Sequence, residues 1–418
     1  MRTDAGARRI GGVAAAALAQ TYGTPLLVID TDALDANAAA FASLGAELAI
    51  DVSYAGKALL FVALAQRLAA TPLGLDVCSL AELLTAERAG YAPERLVMHG
   101  CGKTDAELHA VVAGRVGRVV VDHGEELAAL AALASAQRPV HVLLRLNTGI
   151  EAHTHAYVRT GGEDSKFGFA MRDVASAVAR ARAAPGLRLV GLHSHLGSQI
   201  FDAAPYAASL RVIFDAYAAA LAQGAPLREL VVGGGFGIVS SGDAAALDVA
   251  ATLRALTAAR DALALAHAVT PPRLGIEPGR AIVADAGTSL YRVAAVKRQG
   301  ARRFAIVDGG IADNPRPALY GAVHEPALAN RVSPEPCEET VVCGRSCEND
   351  RLVVAPLPSD LRRGDLLAFA TTGAYTFSMA SNYNRFPRPA VVFAGAGEHR
   401  VVVRRETNDE LLRNDCLY

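Results

Sequence analysis

Lys57 has the setting in this chain that best suits covalent chemistry. It stands in Ala49-Ile50-Asp51-Val52-Ser53-Tyr54-Ala55-Gly56-Lys57-Ala58-Leu59-Leu60, a strand-like run that stops at a glycine and delivers one lysine to the start of a helix. A lysine at the carboxyl end of a parallel strand, surrounded by apolar residues, can have its pKa lowered by desolvation and attack an aldehyde as a free amine. A solvated lysine opening a helix is the commoner use of such a position. What separates the two readings is the chemistry gathered at the other strand ends.

Gly191-Leu192-His193-Ser194-His195-Leu196-Gly197-Ser198 carries two histidines at i and i+2, which project on the same side of a strand. One flat ring could stack on a planar cofactor, the pair could bind a metal, or both could be hydrogen-bonded structure. In Gly233-Gly234-Gly235-Phe236-Gly237 the glycines let backbone N–H groups crowd around a phosphate, although glycine runs also form plain turns. Glu277-Pro278-Gly279-Arg280 sets a carboxylate beside a guanidinium. The carboxylate can keep a pyridine nitrogen protonated and the arginine suits a phosphate or carboxylate; a salt-bridged surface turn is the alternative. A lysine, a ring-sized histidine, a phosphate loop and a pyridinium-type carboxylate together point to pyridoxal 5′-phosphate, with no metal expected.

These residues need a scaffold that brings strand ends together. Short apolar strands are expected at 47–54, 74–77, 95–99, 118–121, 140–146, 188–195, 229–232 and 273–277. Helical segments at 58–70, 80–89, 105–112, 125–136, 174–183, 206–221 and 247–265 separate them. Such alternation over about 250 residues is the pattern of a (β/α)8 barrel, where chemistry belongs at the carboxyl ends and phosphate after strands seven and eight. A doubly wound sheet is the competing architecture. Beyond Arg280 come short valine-rich runs at 291–296, 304–307, 340–342, 352–354, 365–369, 390–393 and 400–403, which predict a mainly β second domain. The expected division is residues 31–280 for the barrel and 281–418 for the β domain, with residues 1–30 joining the latter through a strand at 26–29.

With 418 residues and about half of them hydrophobic, the chain can bury a large core. Its net charge of −1, without basic runs interleaved with aromatics, leaves neither nucleic acid nor an anionic membrane as a partner. The expected ligand is a small molecule. Six cysteines without CxxC pairing or zinc-ribbon spacing suit reduced thiols in a cytoplasm. Arg8-Arg9 before an alanine-rich run faintly mimics a signal peptide, but the run is short, weakly hydrophobic and reads as a helix ending near Gly23. No apolar stretch approaches the roughly 20 residues that span a bilayer.

Longer motifs carry a resemblance. Tyr54-Ala55-Gly56-Lys57-Ala58, Gly74-Leu75-Asp76-Val77, His153-Thr154-His155, Glu163-Asp164-Ser165-Lys166-Phe167-Gly168, His193-x-His195-Leu196-Gly197-Ser198-Gln199, Glu277-Pro278-Gly279-Arg280, Arg316-Pro317-Ala318-Leu319-Tyr320, Cys347-Glu348 and Gly373-Ala374-Tyr375 resemble the diaminopimelate decarboxylase family. The likeness runs from about Tyr22 to Leu412. It implies an alanine racemase-like, fold-type III enzyme that decarboxylates meso-2,6-diaminopimelate to L-lysine in lysine biosynthesis. It also implies that Lys57 holds the cofactor covalently, His195 stacks on its ring and Glu277 contacts its nitrogen. Ser198, Gly234, Gly235, Arg280 and Tyr375 would surround the phosphate. Arg280, Arg316, Tyr320, Glu348 and Tyr375 would contact the substrate, and Cys347 would donate the proton. By the same resemblance Cys347 and Glu348 come from the partner subunit of a homodimer with shared active sites. The sequence departs from the commonest family pattern at Leu59, at Gly100-Cys101-Gly102-Lys103, and at Cys347-Glu348-Asn349-Asp350-Arg351, where Cys-Glu-Ser-Gly-Asp is commoner. The last lies beside the substrate, so a related decarboxylase acting on another amino acid, or on one tethered to a carrier, is the rival expectation.

Overall fold

Runs such as Val119-Val120-Val121 and Val142-Leu143-Leu144 are buried at every residue, as strands covered on both faces must be. Eight such strands appear in the structure, a computed structural model that describes residues 2–4, 7–151, 162, 164–239 and 246–418. They are β1 (Asp51–Ala55), β2 (Gly74–Val77), β3 (Leu96–Met98), β4 (Arg118–Val121), β5 (Val140–Asn147), β6 (Leu187–His193), β7 (Glu229–Val231) and β8 (Arg273–Ile276). Each pairs in parallel with the next. Strand β8 returns to β1, with Gly275 opposite Asp51 and Ile276 opposite Val52. The sheet therefore closes, which excludes the doubly wound alternative. His153-Thr154-His155 and Glu163 lie outside the described residues.

Helices cover the barrel with one apolar stripe each. The helix Ala204–Ala222 buries Tyr206, Leu210, Ile213, Phe214 and Tyr217, a 3.6-residue spacing. Local chemistry starts several of them: Ser79 caps Leu80–Arg88, and Thr104 with Glu107 forms a capping box on Asp105–Val112. Several expected boundaries shift, two of them on either side of β1. Glu47 and Leu48, expected in the first strand, end the helix Thr31–Leu48, where Ala49 turns left-handed and the Ile50 N–H closes on the Gly45 carbonyl. The helix expected at 58–70 is divided into a single 3-10 turn, Gly56–Ala58, and a helix Val62–Ala69. The turn packs so closely on β2 that a Cβ at position 56 would lie 2.8 Å from the Asp76 carbonyl oxygen.

The chain divides into two units. The barrel belongs to Ala38–Ile238 with Ala245–Ala281, and the other unit contains Met1–Asn37 and Ile282–Tyr418. In this second unit the long strand Gly287–Gln299 pairs antiparallel with Leu26–Asp30, Arg302–Val307 and Leu366–Phe369. Leu26–Asp30 in turn runs parallel to Ala390–Gly395. The outer strands Cys337–Cys343 and Arg351–Pro358 pair antiparallel. Leu18, Leu26, Val28, Leu290 and Val392 pack in one buried cluster, and Tyr291, Val307, Leu352 and Phe369 in another. The unit is mainly β.

Candidate active site

Strand β1 ends at Ala55, and the 3-10 turn that follows presents Lys57. Its side chain is exposed, not enclosed by apolar residues as expected, because the turn lifts it beyond the last strand residue. Its charge still acts on groups at the neighbouring strand ends. It favours the ionised form of Asp76 and disfavours protonation of His195 and His99.

Glu277, just past β8, accepts from His193 at the end of β6, with Nε2 3.0 Å from Oε1 and 3.2 Å from Oε2. His99, after β3, brings its Nε2 to 3.5 Å from Glu277 Oε1 and 3.6 Å from Asp76 Oδ1. Burial pushes the Glu277 carboxyl up, but His193 and His99 outweigh it and hold the group well below the usual carboxylate range. The Asp76 carboxyl moves the opposite way, raised by burial and then by the Glu277 charge. Two carboxyls that share His99 are thus driven in opposite directions, Glu277 toward its charged form and Asp76 toward its neutral one. The ligand atoms of His99, His193 and Glu277 all lie within 4.8 Å of one another, a spacing that could also hold a metal. The His193 bond already engages both Glu277 oxygens.

His195 follows on the same loop. Its Nδ1 accepts the Gly234 N–H at 3.3 Å, which ties the ring to the glycine loop after β7. Desolvation, then the Lys57 charge, hold its pKa well below the ordinary value, so the imidazole is neutral. Gly234 and Gly235 cannot carry side chains: a Cβ on the first would strike the Glu277 carbonyl and on the second the Gly197 carbonyl. Gly235 is also left-handed, at φ 91°. Arg280, buried at the end of the Glu277-Pro278-Gly279-Arg280 turn, donates from Nη2 to Ser198 Oγ at 3.0 Å. A flat neutral ring, glycine N–H groups, a hydroxyl, a guanidinium and an ionised carboxylate are the groups that a phosphorylated pyridine requires, so these residues fit the expected cofactor.

The remaining predicted residues belong to the other unit. Arg316 is buried at the start of the helix Arg316–Tyr320, its guanidinium carbon 5.3 Å from the Tyr320 ring centroid and 5.6 Å from that of Tyr375. Cys347 is exposed, and its N–H donates to Asn384 Oδ1 at 3.0 Å. Glu348 accepts from the Tyr383 hydroxyl at 2.5 Å.

Asp76, His99 and Arg145 were not assigned roles from the sequence, nor were Tyr383 and Asn384. Arg145, near the end of β5, lies 4.4 Å from the Phe167 ring centroid and 3.8 Å from Asp122, and its charge acts on His195. All three barrel residues sit at or just past strand ends. That position was the signal for His99 and Arg145, whereas Asp76 also lies in the Gly74-Leu75-Asp76-Val77 motif.

The family described as "Pyridoxal-dependent decarboxylase, pyridoxal binding domain" matches residues 34–284. A diaminopimelate decarboxylase from Actinosynnema pretiosum subsp. auranticum is 43% identical over 99% of this chain and 94% of its own length. One from Bacillus subtilis is 41% identical over 97% and 94% respectively. Among solved structures, diaminopimelate decarboxylase from M. jannaschii in complex with L-lysine superposes with a TM-score of 0.91 at 29% identity, covering 100% of this chain and 98% of that one.

Proposed function

Because the chain belongs to the diaminopimelate decarboxylase family of pyridoxal-dependent decarboxylases, we propose that its barrel unit holds the cofactor through Lys57 while its β unit supplies substrate contacts and a proton. The reaction is the decarboxylation of meso-2,6-diaminopimelate to L-lysine and carbon dioxide. When bound, pyridoxal 5′-phosphate supplies an aldehyde for the substrate amine and a ring that accepts the electron pair left by carbon dioxide.

Glu277 would keep a proton on the ring nitrogen of the bound cofactor, and His193 favours the charged form of Glu277 that this requires. His195, held toward its neutral form, would hold the cofactor ring without adding a competing positive charge. Arg280, Ser198, Gly234, Gly235 and Tyr375 would hold the phosphate. Cys347 delivers a proton to the substrate carbon after carbon dioxide leaves. Arg316 and Glu348 hold the distal amino acid end, which carries both charges, with Arg280, Tyr320 and Tyr375 completing the contacts.

The observation that carries this reading is the half-buried Glu277 held toward its ionised form beside a glycine loop and the Arg280–Ser198 pair, all at one end of one barrel. We assign the active site to a homodimer in which Cys347 and Glu348 reach the partner's barrel. Their position in a separate unit from Lys57 supports this. No nucleic acid partner is proposed. Among the described residues no helix is long and apolar enough to cross a membrane. The six free cysteines support a cytoplasmic enzyme.

Carbon dioxide release from a panel of diamino acids and their carrier-bound forms tests the substrate. Release from meso-2,6-diaminopimelate with L-lysine as product is expected. Faster release from another amino acid would replace it with the rival substrate.

A further inference from the structure

The loop that carries Cys347 and Glu348 is fixed from both sides by short-range contacts. At its base the Gly344 N–H donates to the Asp350 carbonyl, the Asp350 N–H to the Glu348 carbonyl, and Asp350 Oδ1 accepts the Ile311 N–H at 2.8 Å. A Cβ on Gly344 or Gly310 would strike Asp350 Oδ2, so the carboxylate is seated in a slot made by two glycines. The aspartate that arrives one residue sooner than in the commoner Cys-Glu-Ser-Gly-Asp pattern is therefore the residue that closes this loop.

Facing the loop is the 3-10 turn Tyr383–Arg385. Asn384 adopts φ 52° and Arg385 φ 56°, a left-handed pair that asparagine tolerates better than most residues. Its neighbours anchor the turn elsewhere. The Ser381 N–H donates to the Ala312 carbonyl, Asn382 Nδ2 to Glu406, and Arg385 to Asp415 and the Leu411 carbonyl. The Arg345 guanidinium lies 4.2 Å from the Phe386 ring centroid. From this anchored turn two consecutive residues reach two consecutive loop residues. Asn384 Oδ1 accepts the Cys347 backbone N–H at 3.0 Å, and the Tyr383 hydroxyl donates to Glu348 Oε1 at 2.5 Å.

We propose that Asn384 and Tyr383 are positioning residues that divide the loop between its two tasks: Asn384 sets where the Cys347 thiol delivers its proton, and Tyr383 sets how the Glu348 carboxylate holds the distal end of the substrate. This rests on the reading of Cys347 as proton donor and Glu348 as substrate contact. A carbanion spread over substrate and cofactor can take its proton at either of two carbons. A proton that arrives at the substrate carbon yields L-lysine. One that arrives at the cofactor carbon yields, after addition of water, an aldehyde and the aminated cofactor, pyridoxamine phosphate, so the ratio of the two products reports where the donor stands.

The test compares Asn384→Gly, Asn384→Asp, Tyr383→Phe and Cys347→Ala as holoenzymes, after melting temperature and cofactor content have been matched to the wild type. Glycine keeps the left-handed backbone and removes only the acceptor. Asn384→Gly should lower kcat by about tenfold, the cost of one hydrogen bond at the proton donor, with KM within about twofold. It should also raise the yield of pyridoxamine phosphate, and iodoacetamide should alkylate Cys347 faster, read by peptide mass spectrometry, with the other cysteines unchanged. Asn384→Asp keeps the acceptor oxygen and should restore the product ratio, a check that remains if the glycine variant does not fold. Tyr383→Phe should raise KM several-fold, again about one hydrogen bond, and leave the product ratio alone. Wild-type product ratio and Cys347 alkylation in Asn384→Gly, or no restoration by Asp, overturns the inference, provided that Cys347→Ala does shift the ratio. If both loop-turn variants change kcat and KM alike, the division of tasks is wrong. If Cys347→Ala leaves rate and ratio untouched, the proton-donor reading fails instead.

Discussion

One imidazole N–H of His193 lies 3.0 and 3.2 Å from the two oxygens of Glu277, so a single donor addresses the whole carboxylate. Both groups stand at strand ends, β6 and β8, and His99 approaches the same oxygen from β3. Closing the barrel is what makes residues 84 positions apart in sequence into partners. Charge then sorts itself between two carboxyls. Glu277, with histidine donors, stays ionised, whereas Asp76 is pushed toward its neutral form by burial and by the Glu277 charge. A pair of carboxyls with pKa values driven apart by their surroundings is a common mark of a site with one assigned charge.

Removing that charge gives the first prediction. Glu277→Gln preserves the size of the side chain and its contact with His193, and should still bind the cofactor while losing about tenfold or more in kcat, since each 1.4 kcal/mol or so of transition-state stabilisation is worth a factor of ten. Steady-state kinetics with a cofactor-to-protein ratio decide it. Near-normal turnover in the loaded variant would mean that another group keeps the ring nitrogen protonated.

Lys57 provides the second. Borohydride treatment of the yellow holoenzyme should attach the reduced cofactor to Lys57 and bleach the visible band, with the adduct found on the peptide that contains Gly56 and Lys57. An adduct on Lys103, whose ammonium is buried and bonded to Glu126 and two carbonyls, or on any other lysine, would remove the central assignment.

The barrel was legible because its strands are short apolar runs between amphipathic helices, and because Lys57, His195, Gly234 and Glu277 all fall where strands stop. Two kinds of feature were not. Helix ends in alanine-rich sequence carry little pattern, so Glu47 and Leu48 read as strand when the left-handed Ala49 is what ends the helix. Partners that act through one contact leave no motif: Asn384 and Tyr383 lie more than thirty positions beyond the residues they hold, and only the folded β unit brings them together. At position 57 the chain places the lysine on a 3-10 turn rather than at the start of a helix. The turn leaves Lys57 exposed, yet its charge acts on Asp76, His195 and His99 at the neighbouring strand ends.

The third prediction concerns acid stability. Burial, then nearby Lys103, Arg145 and Lys57, hold His99 at a pKa of about 4 against an ordinary 6.5, with Glu277 acting the other way. Between those values the unfolded chain binds a proton at this residue that the folded chain does not. Stability therefore rises with pH across that window and is lost as pH falls from about 6.5 toward 4. A shift of this size corresponds to roughly 3 kcal/mol at most. Asp76, raised in the fold above its ordinary 3.8, contributes with the opposite sign from about pH 3.8 upward, within the same window, and is present in both proteins, as is His193. His99→Asn should thus flatten the stability curve between pH 4 and 6.5 relative to wild type, measured by urea denaturation at half-unit steps. Parallel curves would show that His99 is protonated in the fold.

The last prediction tests whether the active site is shared between subunits. Lys57 belongs to the barrel unit and Cys347 to the β unit, and 290 positions of chain separate them. If Cys347 serves the barrel of its partner, two-fold symmetry gives each dimer two equivalent composite sites, each built from one Lys57 and the partner's Cys347. Lys57→Ala and Cys347→Ala proteins are each inactive alone on this scheme, because every site lacks one residue. Mixed under conditions of subunit exchange, they form heterodimers in which one site carries both substitutions and the other carries neither. Random exchange makes about half of the dimers mixed, with half of their sites intact, so activity should rise toward about a quarter of wild type. A site contained within one chain gives the opposite result: each heterodimer then has one Lys57→Ala site and one Cys347→Ala site, and no activity returns. Native mass spectrometry establishes that exchange has occurred. A mixture that has exchanged and remains as inactive as its components would assign Lys57 and Cys347 to the same chain and remove the composite site.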